Sequence, residues 1–315
     1  MQQLKRYRSV VANSERWDSF TFRPGDIVIS TPPKCGTTWM QRLVALLVFD
    51  DTELYAPISK ISPWLDMQLA PLDEVLALLE AQQHRRFIKT HTPLDGVPYD
   101  ERVTYVCVGR DPRDVAVSGA HHMSNMDVDN FLTLRAAAVG LEDLAELGLN
   151  KPGPPQPETP AQQLRNWIEV DSDITPMTLG FLVTHLSVCW ARRDLPNVEL
   201  FHYDDLLRDL PGQMRRLADA LDIDMTDERI AELAAAATFA AMRSSAEQVA
   251  PNADISLWRN TQEFFHRGTS GQWREVFSED DLLAYDKRIA ALAPPDLAAW
   301  LHDGWLAGLA PDRHV

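Results

Sequence analysis

The chain has 315 residues and carries 46 aspartates and glutamates against 30 lysines and arginines, a formal net charge of -16 at pH 7. A protein that binds nucleic acid needs a cationic face to displace counterions from phosphates, so this charge balance argues against nucleic acid as a partner. Hydrophobic residues make up 45% and charged residues 24%, the composition of a folded globular enzyme.

The cysteines and the N-terminal segment bear on the compartment. Cys35, Cys107 and Cys189 form no close pairs, so neither a zinc site nor a disulfide framework is indicated. Residues 1–7 lack the apolar core of a signal peptide, and the longest apolar run, residues 43–49, is too short to span a bilayer. We therefore expect a cytoplasmic protein with no integral membrane association.

The first predicted strand, residues 27–30, leads into a turn with a lysine and two hydroxyls and then a predicted helix over residues 40–48. Backbone N–H groups and the helix dipole meet at such a turn, so a phosphate is expected there. The standard P-loop places its lysine after the last glycine, but here the lysine comes first. A phosphatase-like loop around Cys35 would need arginine where Gln41 stands. The alternative is an ordinary strand-to-helix connection with a solvated lysine.

Three more apolar runs predict strands at residues 87–89, 103–108 and 198–203, with helical patterns at 72–82, 114–121 and 213–221. This alternation predicts a parallel sheet covered by helices on both faces, whose ligand lies beyond the carboxyl ends of the strands. Basic or hydroxyl side chains follow every strand end, so we expect one convergent site. These residues are Lys34, Thr37 and Thr38, then Lys89 and His91, then Arg110 and Ser118, and finally His202 and Tyr203.

Residues 123–180 have a different pattern, with a proline-rich stretch at 150–157 that cannot form a regular element. The segment is either a disordered surface insertion or a loop that lies over an acceptor pocket. From residue 280 onward the pattern predicts two amphipathic helices separated by Pro294 and Pro295, which favours a packing role.

Four separated motifs together resemble the cytosolic-type sulfotransferases, which transfer a sulfuryl group from 3′-phosphoadenosine 5′-phosphosulfate (PAPS) to an acceptor hydroxyl or amine. The motifs are residues 33–39, 88–93, 110–118 and 265–273. The similarity is greatest to the bacterial branch that includes glycolipid-sulfotransferase-like proteins. It implies one α/β domain over residues 1–315, with a central parallel sheet flanked by helices in a P-loop-like sulfotransferase fold and a variable acceptor-side insertion at about 123–180.

The resemblance also implies roles for individual residues. His91 would be the general base, Lys34 would neutralise the oxygen that joins sulfur to the 5′-phosphate, and Lys89 would help to hold the transferring group. Ser118 joins this catalytic set and also binds the cosubstrate. The other residues implied in binding PAPS are Cys35, Gly36, Thr37 and Thr38 at the 5′-phosphate, Arg110, His266, Arg267 and Gly268 at the 3′-phosphate, and Trp39, Phe239 and Tyr203 around adenine.

The family requires no metal, and we expect none here. Arg113 is interpreted as part of a surface ion pair. The other eight histidines, including His121 and His122, lack the sequence context that marks His91 as the general base. Cys35 stands at a helix N-terminus near a lysine, which predicts a lowered thiol pKa and sensitivity to oxidation.

The chain departs from the family pattern at three places. His266 stands where arginine is usual, and Ala237 stands where a hydroxyl residue usually precedes the stacking phenylalanine. The dimerisation signature expected after Arg274 is not recognisable, so the oligomeric state stays open.

Two other functions are compatible with the sequence. One is a P-loop kinase of small molecules that uses ATP and Mg²⁺, and the other is a catalytically silent nucleotide-binding protein on the same scaffold. The acceptor is expected to be a small molecule or a lipid with a hydroxyl group. Trp64, Leu65 and Met67 hint at an apolar alcohol, a phenol or a lipid.

Overall fold

The sheet of the protein has four parallel strands in the order β2-β1-β3-β4. The structure is a computed structural model, and it describes residues 4–147, 159–170 and 177–306. The strands are β1 (Ile27–Ser30), β2 (Phe87–Thr90), β3 (Thr104–Gly109) and β4 (Val198–His202). Each predicted strand is therefore present, with ends that differ by one residue at most.

Fourteen α-helices surround the sheet in the described ranges. Those before β4 are α1 (Thr37–Phe49), α2 (Ile58–Ile61), α3 (Leu72–Ala81), α4 (Pro112–Asn125), α5 (Val128–Val139), α6 (Pro160–Glu169) and α7 (Leu179–Ala191). Those after it are α8 (Tyr203–Arg208), α9 (Leu210–Ala220), α10 (Asp227–Ala235), α11 (Phe239–Ser244), α12 (Ala246–Val249), α13 (Glu279–Leu292) and α14 (Pro295–Asp303).

Both faces of the sheet are buried, as the continuous apolar strands predict. Val28 belongs to a core shared with α4, α7, α13 and α14, whereas Ile27 and Ile29 belong to a second core shared with α1, α9 and α10. Because alternate residues of a strand point to opposite faces, one short strand serves both cores. The sheet is thus the middle of three layers.

Capping decides where the helices begin. The sequence predicts a helix from Asp114, but α4 begins two residues earlier, where Asp111 accepts a hydrogen bond from the N–H of Arg113 and Pro112 occupies the first turn. Proline is tolerated there because its missing N–H has no partner inside the helix. The same arrangement of Asp209 and Pro211 begins α9 ahead of its predicted start.

The predicted insertion contains α5, α6 and a 3₁₀ turn at Glu142–Leu144. Its proline-rich part, residues 150–157, lies outside the described residues. None of the helices in the described ranges is both long enough and apolar enough to cross a bilayer.

Candidate active site

A cavity of about 630 Å³ opens at the carboxyl edge of the sheet. It brings together all but one of the residues that the sequence assigns to catalysis or to cosubstrate binding. The lining includes Lys34, Gly36, Thr37, Thr38, Trp39, Lys89, His91, Arg110, Ser118, Tyr203, Phe239, His266, Arg267 and Gly268. Residues more than 230 positions apart in the chain therefore share one site, as the convergence of strand ends predicts.

The loop between β1 and α1 has the backbone shape of an anion cradle. Lys34 has φ of 68° and Gly36 has φ of 104°, both in the left-handed region. Gly36 is the N-cap of α1 and no side chain caps this helix start. The N–H groups of the first turn and the positive end of the helix dipole are thus directed to the cavity edge.

Lys34 is a half-buried cation next to other cations. Its pKa is lowered to about 7, first by burial and then by the charges of Arg110 and Lys89. The Nζ lies 3.2 Å from His122 Nδ1 and 4.8 Å from the ring centre of Phe264. An anion in the cavity would restore the full charge of this lysine.

His91 is held in one tautomer. Its Nδ1 lies 2.6 Å from the carbonyl oxygen of Thr31, and because a carbonyl only accepts, the proton is on Nδ1 and Nε2 carries the lone pair. Burial, followed by the charge of Lys89, holds the pKa of His91 well below its usual value. A neutral imidazole with a free Nε2 in the cavity can accept a proton at neutral pH.

Residues Trp64 and Asp66 position Lys89 and its neighbours at the end of β2. The Lys89 ammonium lies 4.4 Å from the ring centre of Trp64, and burial lowers the pKa of this lysine to about 8. Asp66 accepts a hydrogen bond from the hydroxyl of Thr90 at 2.7 Å and another from that of Thr92. These bonds fix the backbone on both sides of His91.

Arg110 connects the loop between β1 and α1 with the C-terminal loop at residues 265–273. Its guanidinium donates to the carbonyl oxygens of Lys34 and Thr269, each at 3.1 Å, and lies 4.0 Å from the ring centre of Tyr203. Its Nε has no hydrogen-bond partner in the described part of the chain, although it is buried. A buried donor without a partner fits a ligand that accepts hydrogen bonds.

The aromatic residues assigned to adenine lie at this end of the cavity. The Trp39 indole N–H donates to the carbonyl oxygen of Ala237 at 2.8 Å, and its ring meets that of Tyr203 edge to face at 5.3 Å. Gly268 has φ of 65°, and a Cβ placed there would come within 2.1 Å of the Phe239 ring. Glycine is therefore needed for the loop to approach Phe239.

The histidines of α4 were missed by the sequence reasoning. His121 and His122 both line the cavity, three and four positions after Ser118. Helical spacing from Ser118 is the signal that predicts a shared face, since residues three and four apart are neighbours on a helix. From the sequence, both are judged only as candidate bases, and neither is named as a site residue.

Cys35 is the one predicted site residue that does not line the cavity. It is fully buried in the first core, and burial raises the pKa of its thiol to about 12. The prediction of a low-pKa, oxidation-sensitive thiol is wrong, because loss of solvation outweighs the effect of the nearby cations.

Two other expectations fail, namely that His202 reaches the site at the end of β4 and that Leu65 lines the acceptor pocket. His202 is buried beneath the rim, where Nε2 meets the carbonyl oxygen of Leu301 at 3.1 Å. Leu65 lies in the core, unlike Trp64 and Met67, which line the cavity. Arg113 forms the expected ion pair with Asp111 at 2.8 Å.

Part of the cavity wall is apolar. Met67, Phe131, Leu257 and Trp258 form a separate hydrophobic cluster with residues 10–11, and these residues are part of the lining. Phe131 comes from the predicted insertion, whereas Leu257 and Trp258 come from a loop that the sequence did not single out. The centre of the Trp258 ring lies 4.8 Å from that of His122, so a ligand here would meet apolar side chains beside the charged groups.

No aspartate or glutamate lines the cavity in the part of the chain that the structure describes. The protein as a whole has a net charge of -16. An acidic protein that excludes carboxylates from a cavity with several cations has concentrated positive potential there. The site therefore suits a multiply charged anion.

The chain resembles known sulfotransferases in sequence and in fold. Residues 24–301 match the sulfotransferase domain family. The chain is 47% identical to the glycolipid sulfotransferases of Mycobacterium bovis and of Mycobacterium tuberculosis. Each alignment covers 95% of this chain and 94% of the mycobacterial protein. The solved structure of mouse sulfotransferase SULT7A1 complexed with PAP has a TM-score of 0.68 and 20% identity, with 91% of this chain and 92% of that chain covered. The chain therefore belongs to the sulfotransferase family, as its four motifs predict.

Proposed function

We propose that this sulfotransferase transfers a sulfuryl group from PAPS to a hydroxyl group of a glycolipid-type acceptor and releases adenosine 3′,5′-bisphosphate (PAP). The observation that carries the proposal is a cavity in which cations and histidines lie beside an apolar wall, with no carboxylate in the lining among the described residues. The mycobacterial relatives support the lipid acceptor, and PAP in the mouse structure supports the donor.

The residues present fit PAPS. The start of α1 with Thr37 and Thr38 would hold the 5′-phosphate, and Arg110 with Arg267 and Ser118 would hold the 3′-phosphate. A bound phosphate would give a partner to the Nε of Arg110, which has none among the described residues. It would also raise the pKa of Lys34, which burial and then the neighbouring cations lower. PAPS supplies an activated sulfuryl group when it is bound.

His91 would remove the acceptor proton at Nε2 as the new O–S bond forms, while the bond between sulfur and the bridging oxygen breaks. The carbonyl of Thr31 stabilises the resulting imidazolium through Nδ1–H. Lys34 would neutralise the charge that develops on the bridging oxygen of the leaving PAP, and Lys89 would hold the sulfuryl oxygens. This division of roles needs no covalent intermediate on the protein.

The apolar wall would receive the hydrocarbon part of the acceptor. Met67, Phe131 and Trp258 bury most of their surface in that wall, and flexible or broad apolar side chains suit a lipid chain. A cytoplasmic location and a reaction without metal stay predictions from the sequence.

The test is a transfer assay with sulfur-labelled PAPS. We expect label to move to a glycolipid hydroxyl, and the same sugar without its lipid chain to react with a much higher KM. The control is His91→Ala, which should transfer far less label if the reaction is catalysed at this site. Equal activity on the lipid-free sugar would contradict the proposal of a lipid acceptor. If the protein binds PAP but transfers no label from PAPS to any hydroxyl group, the proposed activity is wrong.

A further inference from the structure

A stacked pair of histidines lies at the mouth of the site, and neither ring has a role in the transfer step. His121 of α4 and His266 of the C-terminal phosphate loop have ring centres 3.9 Å apart, with the planes inclined by 30°. Both rings line the cavity. The pair joins two motifs that also meet through Arg110 and Asp114.

The hydrogen bonds of His121 define where a further proton can bind. Its Nε2 lies 2.9 Å from the carbonyl oxygen of Glu263, so Nε2 carries the hydrogen and Nδ1 is the atom that can be protonated. The protonated ring would then donate from both nitrogens, one to the protein and one to a ligand.

The surroundings of the pair are cationic. Lys34, Arg243 and Arg267 all act on His266 and oppose its protonation, after the larger effect of burial. His122 adjoins Lys34, and Arg110 lies across the cavity. The carboxylates of the same segment are Glu263 and Glu275, and Glu275 is paired with Arg267 at 2.9 Å. The free site thus disfavours two stacked imidazolium rings.

An anion at this position would favour the protonated forms of the two rings. A dianionic phosphate near the rings stabilises their charged forms, so each ring can take a proton from solvent as the phosphate binds. Arginine, the usual residue at position 266, is charged at all relevant pH values and takes up no proton. Histidine at this position makes the interaction titratable.

We propose that His121 and His266 form a proton-linked subsite for the 3′-phosphate of the nucleotide. PAP binding takes up a proton at this pair, and the affinity for PAP falls as pH rises because the proton must then come from a more dilute pool. The inference rests on the proposed function, since it assumes that a 3′-phosphate lies at the C-terminal loop. His121 thereby becomes a binding residue.

The test is calorimetric titration of PAP into the purified protein between pH 6 and 8.5, in buffers with different ionisation enthalpies. The variants are His266→Arg, which fixes the charge, and His121→Phe, which keeps a stacked ring that cannot titrate. The control is His84→Asn, because His84 packs against Phe49 at the far end of α1, about 20 Å from the cradle by helix rise.

Proton uptake by the wild type is expected to exceed that of both variants, by a fraction that approaches one proton near neutral pH. The affinity of the wild type should fall with pH more steeply than that of His266→Arg, by up to about tenfold per pH unit for each proton linked. Titration of the phosphate itself, with its second pKa near about 6, is common to all proteins and cancels in the difference.

Two outcomes overturn the proposal in different ways. If PAP binds to all four proteins with the same proton uptake and parallel pH dependence, the histidine pair is not linked to binding while the proposed function stands. If PAP fails to bind to the folded wild type at every pH, the donor assignment fails and the subsite fails with it. Should His121→Phe unfold, His266→Arg at its partly exposed position decides the matter alone.

Discussion

At the scale of single residues, the site depends on how burial sets the charge of each group. His91 is kept neutral with its proton on Nδ1, whereas Lys34 and Lys89 have pKa values lowered to about 7 and about 8. Lys89 is buried, and Lys34 and His91 are half-buried in the cavity wall, so loss of solvation is the main cause in each case. In the free enzyme His91 is therefore neutral and able to accept a proton, whereas Lys34 and Lys89 are only partly protonated near their lowered pKa values.

Replacement of His91 by alanine is expected to lower kcat by roughly 10² to 10⁴, the usual contribution of a general base. PAP affinity should change little, because the proposed role of His91 is on the acceptor side. Steady-state kinetics and calorimetry measure the two effects. A variant that loses PAP binding while kcat at saturation is preserved would contradict the assignment.

The pH dependence of kcat/KM for PAPS follows from Lys34. Below pH 7 the lysine is protonated and can neutralise the phosphosulfate, and above pH 7 it progressively loses its charge in the free enzyme. We expect kcat/KM to fall as pH rises through about 7 to 8. The acid limb should lie below the pH range in which an ordinary histidine titrates, because burial lowers the pKa of His91. A profile that rises through this window would be contrary to the account.

Lys34 is also expected to destabilise the free protein. Its folded-state pKa lies below the unfolded value of 10.5, so the unfolded chain binds more protons between about pH 7 and 10.5, and stability rises with pH across that window. Lys34→Met should therefore raise the melting temperature at pH 7 by a few degrees, and the gain should disappear above pH 10.5. Scanning calorimetry at several pH values measures this, and a variant less stable than the wild type at pH 6 would refute it.

At the scale of elements, α4 organises the phosphate end with residues from successive turns of one face. Ser118, His121 and His122 line the cavity, while Asp114 accepts the N–H of Gly271 at 2.7 Å and that of Trp273 at 3.3 Å. The carboxylate thus ties the C-terminal phosphate loop to the helix. Arg110 ties the same loop to the cradle after β1.

Removal of this tie by Asp114→Ala should weaken PAP binding by roughly tenfold or more, because two hydrogen bonds to a charged acceptor are lost. The KM for PAPS should rise more than kcat falls, since His91 and Lys34 are not in contact with Asp114. The control is Asp73→Ala, an exposed acidic residue in the first turn of α3. Unchanged PAP affinity in a folded Asp114→Ala protein would show that the loop is held by other contacts.

The sheet and the order of its motifs could be predicted because they depend on local pattern. Apolar runs on both faces specify buried parallel strands, and strand ends specify the rim, so Lys34, His91 and Arg110 were assigned correctly to one cavity. His121 and His122 could also have been found from their spacing to Ser118. The error was to judge each histidine by its neighbours in sequence.

Other features could not be predicted because they depend on tertiary packing. Leu257 and Trp258 reach the cavity through a loop that has no pattern of its own, and they meet Phe131 from a distant helix. His202 follows a strand as the site residues do, yet Leu301 of α14 covers it. Cys35 has the sequence context of a reactive thiol, and its full burial reverses the direction of its pKa.

At the scale of the whole molecule, a buried ion pair links the starts of two strands. Arg86 precedes β2 and donates from Nε to Asp26 before β1 at 2.9 Å, and both side chains are only 2% exposed. Such a pair need not stabilise more than apolar residues would, but loss of one partner leaves a buried charge unpaired.

Arg86→Met is therefore expected to lower the free energy of unfolding by about 3 to 5 kcal/mol. Arg102→Met, which removes a partner of Asp100 from a pair whose arginine is 58% exposed, should have a much smaller effect, because exposed ion pairs contribute little to stability. Urea unfolding followed by circular dichroism compares the two. Equal effects would mean that Asp26 finds another partner or becomes neutral.

The central claim is that distant basic and hydroxyl groups form one site for a nucleotide with phosphates on both its 3′ and 5′ positions. The most direct measurement is thermal unfolding with PAP, with adenosine 5′-phosphate and with ATP–Mg²⁺, each at equal concentration. We predict that PAP raises the melting temperature by several degrees, since a ligand at 100 times its Kd adds about 2.7 kcal/mol, and that the others have little effect. Stabilisation by ATP–Mg²⁺ and none by PAP would contradict the account and indicate a kinase.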